Sequence, residues 1–247
     1  MEKKLKYNLR EIIAINDEDI LRMYTLMQDN YDYVLLENFK KDLMQKDYVG
    51  VLTDINNIIQ GFTTYAINPK NYSSNEFNIM FSGDTVISEN YTGSQALTKG
   101  WVDTVAFFIK KYPNKKLLWF LMSKGYKTYL YLPFFFQKYY PALEKDRNDL
   151  RLIDIINNVS EILYPNNWNK LTGIIKFNKK IGQIKERHIS KSVDKNNKHV
   201  DFFIQKNPGY TEGDELVCMA EVNINNLMRF PKLILERSLR SINDNEK

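Results

Sequence analysis

The sequence predicts an α/β fold in a single domain, and three observations carry that reading. β-rich runs alternate with segments of helical apolar spacing along most of the 247 residues. The 43% apolar and 13% aromatic content is that of a packed chain able to bury a sizeable core. No internal repeat or Gly/Ser linker divides it, so one domain is expected over residues 1–247, with a helical/loop insertion at about 146–198.

The elements follow in order. "KLKYNLREIIAI" (4–15) begins in alternation and ends in a β-rich run, which predicts a first strand. Asn16 then offers an N-cap, Asp17, Glu18 and Asp19 fill a first helical turn, and Ile20, Met23, Leu26 and Met27 share one face. A second helix is expected in 31–47, where Leu35, Phe39, Leu43 and Met44 recur at helical spacing. "YVGVLTDINNIIQGFTTYAINP" (48–69) reads as a hairpin about "TDINN". "FNIMFSGDTVIS" (77–88) reads as a strand that could break at Gly83.

A helix carrying Leu97, Trp101, Val105 and Phe108 comes next and ends at Pro113, and "KKLLWFLMS" (115–123) suits a buried central strand. "TYLYLPFFFQKYY" (128–140) is too short to span a bilayer. It predicts a core helix bent at Pro133, with pocket lining or contact with a membrane surface as the alternatives. A further helix is expected in 148–165, a basic loop at 178–198, and two strands, "HVDFFIQKN" (199–207) and "DELVCMAEVN" (214–223), joined by "PGYTEG". A last helix in about 223–241 is expected to be interrupted at Pro231.

Composition bounds the partners. The net charge of +5 suits an acidic partner such as a phosphate-bearing ligand, an acidic carrier protein or nucleic acid. The basic segment 176–198 interleaves only Phe177 among its lysines and arginine, so no stacking platform for a single strand is expected there, and nucleic acid is the weaker option. A single cysteine excludes an internal disulfide, and the N-terminus lacks the apolar run of a secretory signal, so a cytoplasmic location is expected. Cys218, His188 and His199 could form a thiol–imidazole pair, but Cys218 stands inside an alternating strand, where an inert buried thiol is the usual case. No His, Asp or Glu cluster has metal-ligand spacing.

The one stretch that suggests a chemistry is "SGDTVISENYTGSQALTKGW" (82–101), a strand delivered into a helix through Thr92, Gly93 and Ser94. Small residues at a helix start expose backbone N–H groups to an anion, and the same residues also make an ordinary capping turn. The order of elements resembles the GNAT superfamily of N-acetyltransferases, as a divergent member, over about residues 4–143 and 199–222. The resemblance implies a mixed, mostly antiparallel central sheet flanked by helices. It also implies an acyl-CoA or acyl-carrier-protein thioester as co-substrate, no tightly bound cofactor, and an amine acceptor.

The family's loop pattern Gln/Arg-x-x-Gly-x-Gly/Ala, which binds the donor's pyrophosphate, falls on Tyr91, Thr92, Gly93, Ser94, Gln95 and Ala96, with Asn90 just before it. Ala96 conforms, while Tyr91 and Ser94 replace the polar residue and the glycine. By the same resemblance Tyr131, or Tyr129 as second choice, would protonate the departing thiolate, with Phe135 or Phe136 near the family's Gly-Phe. Ser123 and Lys124 stand where an Asn is usual. Aminolysis also needs a base and an oxyanion donor. Glu89 is the candidate base, with Asp84 further back along the strand, and the donor would be a backbone N–H near a splay or bulge at the end of that strand. Asp214 and Glu215 would be either part of a plain turn or an acidic lip by the acceptor. The reading of another class is a non-catalytic binding protein on the same fold, or a basic nucleic-acid binder.

Overall fold

The computed structural model describes residues 4–177, 182–185 and 197–244. Strand β1 (Lys6–Glu11) leads into α1 (Asp17–Asn30), whose first turn is capped by the Asn16 side chain accepting from the Asp19 N–H at 2.7 Å. A short β2 (Tyr31–Asp32) and α2 (Leu36–Leu43) precede the hairpin of β3 (Tyr48–Thr53) and β4 (Ile59–Ile67). Then come β5 (Phe77–Ile87), α3 (Ala96–Lys111) and β6 (Lys116–Ser123). Two short helices follow, α4 (Tyr126–Tyr129) and α5 (Tyr131–Phe135).

The second half contributes α6 (Leu152–Leu163), β7 (Trp168–Asn169), β8 (Ile174–Ile175), β9 (Gln183–Ile184), α7 (Lys198–Lys206), β10 (Glu215–Val222) and α8 (Arg229–Asp244). Eight strands form one sheet in the order β1-β3-β4-β5-β6-β10-β8-β7, and β2 pairs with β9 in a separate two-stranded piece. Every neighbour in the large sheet is antiparallel except the pair β5–β6, which α3 connects. This is the mixed, mostly antiparallel sheet flanked by helices that the resemblance implies.

Alternation along each strand assigns its side chains to two cores. Met80, Trp119 and Cys218 point to the face covered by α3, α5, α7 and α8. Phe81, Phe120 and Met219 point to the opposite face, under α6, and Val49, Val51 and Phe62 continue that layer under α1 and α2. No helix among the described residues is long and apolar enough to cross a membrane.

Four expectations change. The 199–207 run falls in α7, which ends at Lys206, rather than in a strand: the Asn197 side chain accepts from the His199 N–H at 3.0 Å, and Val200 and Phe203, three apart, are the buried positions. The strand beside β10 is therefore β8, which comes from the 146–198 segment. The 128–140 stretch ends its helical part at Phe135 and continues extended, with Tyr140 bridged to Met219. Pro231 lies in the first turn of α8, where no intrahelical donor is lost, so that helix runs without interruption. Finally, β5 is continuous through Gly83.

Candidate functional site

The geometry of interest is made by β5. Its pairing with β6 runs from Phe77–Lys116 to Ser82–Leu121 and then stops, while β5 itself continues to Ile87 against β4 alone. The two central strands thus part after Ser82, and the β6-facing backbone groups of the last residues of β5 meet no partner strand. At the same point β5 bulges: Thr63 pairs with Thr85 and Tyr65 with Ser82, so Gly83 and Asp84 together oppose Thr64. A Cβ at Gly83 would stand 2.5 Å from the Thr64 hydroxyl and 2.8 Å from Lys46 Cε, so only glycine fits without displacing them.

The bulge re-aims one side chain. Met80 packs on the α3 face, and unbroken alternation would send residues 84 and 86 the same way. Val86 instead packs in the core under α1 and α2, and Asp84 shares its parity. Asp84 is thereby brought toward a set of charged groups supplied by separate elements. Lys124, just past β6, holds Glu215 of β10 at 3.3 Å, donates to the Gly182 carbonyl at 3.0 Å, and lies 5.6 Å from the centre of the Tyr31 ring. Lys46, just past α2, is buried and paired with Asp42 at 2.7 Å.

Among the described residues the Asp84 carboxylate has no hydrogen-bond or ion-pair partner in direct contact, a condition that raises its proton affinity. Burial, aided by the Asp42 and Glu215 charges and opposed by Lys46 and Lys124, pushes Asp84 up to about 6. Burial also raises Glu215, against the pull of Lys124, and raises the hydroxyls of Tyr31 and Tyr164, which feel both Asp84 and Glu215. A half-enclosed carboxyl that exchanges its proton near neutrality is suited to accept one from a substrate. Asp214, by contrast, is engaged by Lys176 at 3.1 Å.

The predicted loop follows the open, C-terminal end of the strand, directly after Ile87. Glu89, exposed, begins a single 3-10 turn (Glu89–Tyr91) with Asn90 also exposed, and the Tyr91 side chain hydrogen-bonds Asp54 in the β3–β4 turn. The Thr92 and Ser94 N–H groups bond back to the Glu89 and Tyr91 carbonyls, and Ser94 Oγ accepts from the Ala96 N–H at 3.2 Å. Gly93 takes a φ of +87° with open space where a Cβ would be, a conformation that favours glycine. Gln95 stands at the cap of α3, whose first turn begins at Ala96 and presents its N–H groups to this loop.

The two candidate tyrosines differ. Tyr129 is fully buried, its hydroxyl donates to the Pro141 carbonyl at 3.0 Å, and its ring packs on Tyr139, Phe202 and Phe203. Tyr131 is partly exposed, packs against Phe135, and has the Thr98 hydroxyl of α3 beside its own. Burial raises both hydroxyls. Phe135 and Phe136 are buried against Trp101 and Trp119. Cys218 is buried in β10 and its thiol is held protonated by that burial; His188 lies outside the described residues.

Sequence reasoning missed Lys46, Tyr31 and Tyr164 as neighbours of Asp84. They lie just past α2, α1 and α6, and only the fold joins those ends.

No family model matches the chain, and no curated relative does. Several solved structures similar to it are described as acyltransferases or acetyltransferases. One is a conserved protein from Enterococcus faecalis V583 described as a "probable N-acyltransferase", 12% identical with a TM-score of 0.40, covering 55% of this chain and 33% of that one. This chain therefore spans about a third of the Enterococcus protein. Another is a GNAT family N-acetyltransferase of Escherichia coli in complex with CoA, 12% identical with a TM-score of 0.38, covering 56% and 72%. A third is an aminoglycoside acetyltransferase from an uncultured soil metagenomic sample in complex with sisomicin, 20% identical with a TM-score of 0.38, covering 51% and 82%.

Proposed function

We propose that this chain moves an acyl group from an acyl-CoA thioester to an amine by direct aminolysis. The observation that carries the reading is the parting of β5 from β6 after Ser82, with a bulge that leaves backbone donors at the gap and aims Asp84 beside it. A thioester laid in such a gap can direct its carbonyl oxygen at a β5 N–H, which stabilises the charge that develops as the amine adds. Asp84, with a proton affinity near neutrality, is the base we favour over the exposed Glu89. It takes the proton of the attacking amine, directly or through one water. The new C–N bond forms, the C–S bond breaks, and the thiolate leaves with a proton from Tyr131, the more accessible of the two tyrosines.

The donor's phosphates would meet the loop 90–96. Gly93 keeps the approach open, and the positive end of the α3 dipole favours negative charge. The hydroxyl of Ser94 and the N–H groups of Thr92, Ser94 and Ala96 are engaged in the turn, so the binding donors would be the N–H groups of Gly93, Leu97 and Thr98. A donor presented by acyl-carrier protein brings a single phosphate to the same place and is the second arm of the test.

Native mass spectrometry at moderate salt with acetyl-CoA, a long-chain acyl-CoA and acyl-carrier protein tests the reading. A one-to-one complex with a thioester donor is expected, and Ser94→Glu should abolish it by filling and charging the cradle. Tyr131→Phe should lower turnover about a hundredfold while leaving donor affinity intact. Absence of any complex, or unchanged affinity in Ser94→Glu, would remove the donor site from this loop.

A further inference from the structure

On the α3 side of the sheet, four large apolar side chains face solvent together. Phe134 of α5 is 53% exposed, and Met228, Phe230 and Leu233 at the start of α8 are 39%, 41% and 45% exposed. They form a patch: the Phe134 and Phe230 rings are 6.0 Å apart, the Met228 N–H donates to the Phe135 carbonyl at 2.7 Å, and Leu233 follows Phe230 by three residues on the same helix. Scattered exposed apolar residues are ordinary, but a contiguous group of aromatic and aliphatic tips marks a contact surface.

The rest of α8 indicates what the surface contacts. Its inner side carries Pro231 and Leu235, which are buried, and Ser238, whose hydroxyl donates to Asp103 of α3. Its outer side carries Arg229, Leu233, Arg237 and Arg240, spaced by three and four residues, with the partly buried Lys232 between. None of these four cations makes a hydrogen bond or ion pair through its side chain among the described residues, and Glu236 is the one acid within the helix segment 229–241.

We propose that α8 and Phe134 dock the protein on an anionic phospholipid surface, with Phe134, Met228, Phe230 and Leu233 entering the headgroup boundary and the arginines resting on the lipid phosphates and carboxylates. A helix lying in the plane of an interface needs this pairing of apolar tips with unpaired cations. A second copy of the chain is a poorer occupant, because a two-fold contact would bring arginines against arginines. Nucleic acid would use the cations but leave the four apolar tips in water.

The test is co-sedimentation of the full chain with vesicles of phosphatidylcholine alone and of phosphatidylcholine with phosphatidylserine. Binding to the anionic vesicles is expected, at least tenfold above the neutral ones and falling as salt is raised. Arg237→Ala with Arg240→Ala should weaken it by about fivefold per charge removed. Phe230→Ser with Leu233→Ser should abolish it while leaving the circular dichroism spectrum unchanged. Equal or absent binding to both vesicle types overturns the proposal, as does binding that survives the Phe230/Leu233 change. Loss of a dimer in sedimentation velocity by that same variant, without any vesicle binding by the parent, would assign the patch to self-association instead.

Discussion

The two halves of the β5–β6 pair make opposite uses of the same strands. From Phe77 to Ser82 the strands are hydrogen-bonded to each other, and apolar layers pack on both faces, with Met80 and Trp119 on one and Phe81 and Phe120 on the other. From Gly83 onward the strands part, one residue is extra, and the side chains nearby are Asp84, Lys124 and Glu215. The difference lies in pairing. Where the backbone groups satisfy each other, apolar burial is free to stabilise; where they do not, the gap holds groups that a substrate could complete. A rigid paired half is what fixes the width of the open half.

The largest effect should come from the paired half. Trp119→Ala removes a ring 4.7 Å from Trp101 and the indole N–H that donates to Ser82 at 2.7 Å. A loss of about 3–5 kcal/mol is expected in denaturant unfolding. A loss below 1 kcal/mol would mean the paired half is not the anchor of the sheet.

Asp84→Asn probes the open half and should separate stability from turnover. Turnover is expected to fall at least a hundredfold with donor affinity kept. Stability should move the other way. Burial pushes the folded carboxyl up to about 6 from its ordinary 3.8, so the native state holds more protons than the unfolded chain between those values. Stability of the parent therefore falls as pH rises from about 4 to about 6 and stays lowered above that. The Asn variant should lack this slope and be more stable at pH 7, by about 1–3 kcal/mol. Turnover of the parent should rise through pH 6, where Asp84 becomes the free base. A variant that is both less stable and fully active would make Asp84 a structural acid.

How much of this was legible follows the range of the forces involved. The cap at Asn16, the hairpin about "TDINN" and the turn at Gly93 are local, and local pattern locates them. The 199–207 run misleads because Phe202, Phe203 and Ile204 are apolar in succession, and only the burial of Val200 and Phe203 reveals the helical face. Asp84 is legible as a residue but not in its direction. Alternation from Met80 sends it to the wrong face, and the extra residue that reverses it is a property of pairing with β4. The lysines beside it arrive from chain segments about forty residues to either side, joined by register alone.

Gly83→Val tests that reversal with a smaller effect. The added branches would press on Thr64 and Lys46, and a loss of about 1–3 kcal/mol is expected as they shift. If the bulge aims Asp84, turnover should fall along with stability, and the pH dependence of turnover should move toward that of an ordinary carboxylate. An unshifted profile would mean that Asp84 reaches its position without the bulge.

The smallest effect on stability distinguishes the two tyrosines, one fully buried and one partly exposed. Tyr129 sits among rings with its hydroxyl satisfied by Pro141, so Tyr129→Phe removes one buried hydrogen bond and little else. About 1 kcal/mol of stability should be lost, with turnover unchanged. Tyr131 makes a lesser structural contribution, since it is partly exposed and its near polar neighbour is the Thr98 hydroxyl, so Tyr131→Phe should reverse the balance. Steady-state turnover and thermal unfolding measured on both variants decide it. Should Tyr129→Phe prove the slower enzyme, the proton of the leaving thiolate would have to come from inside the aromatic layer, and the gap between β5 and β6 would have to admit the donor deeper than Ser82.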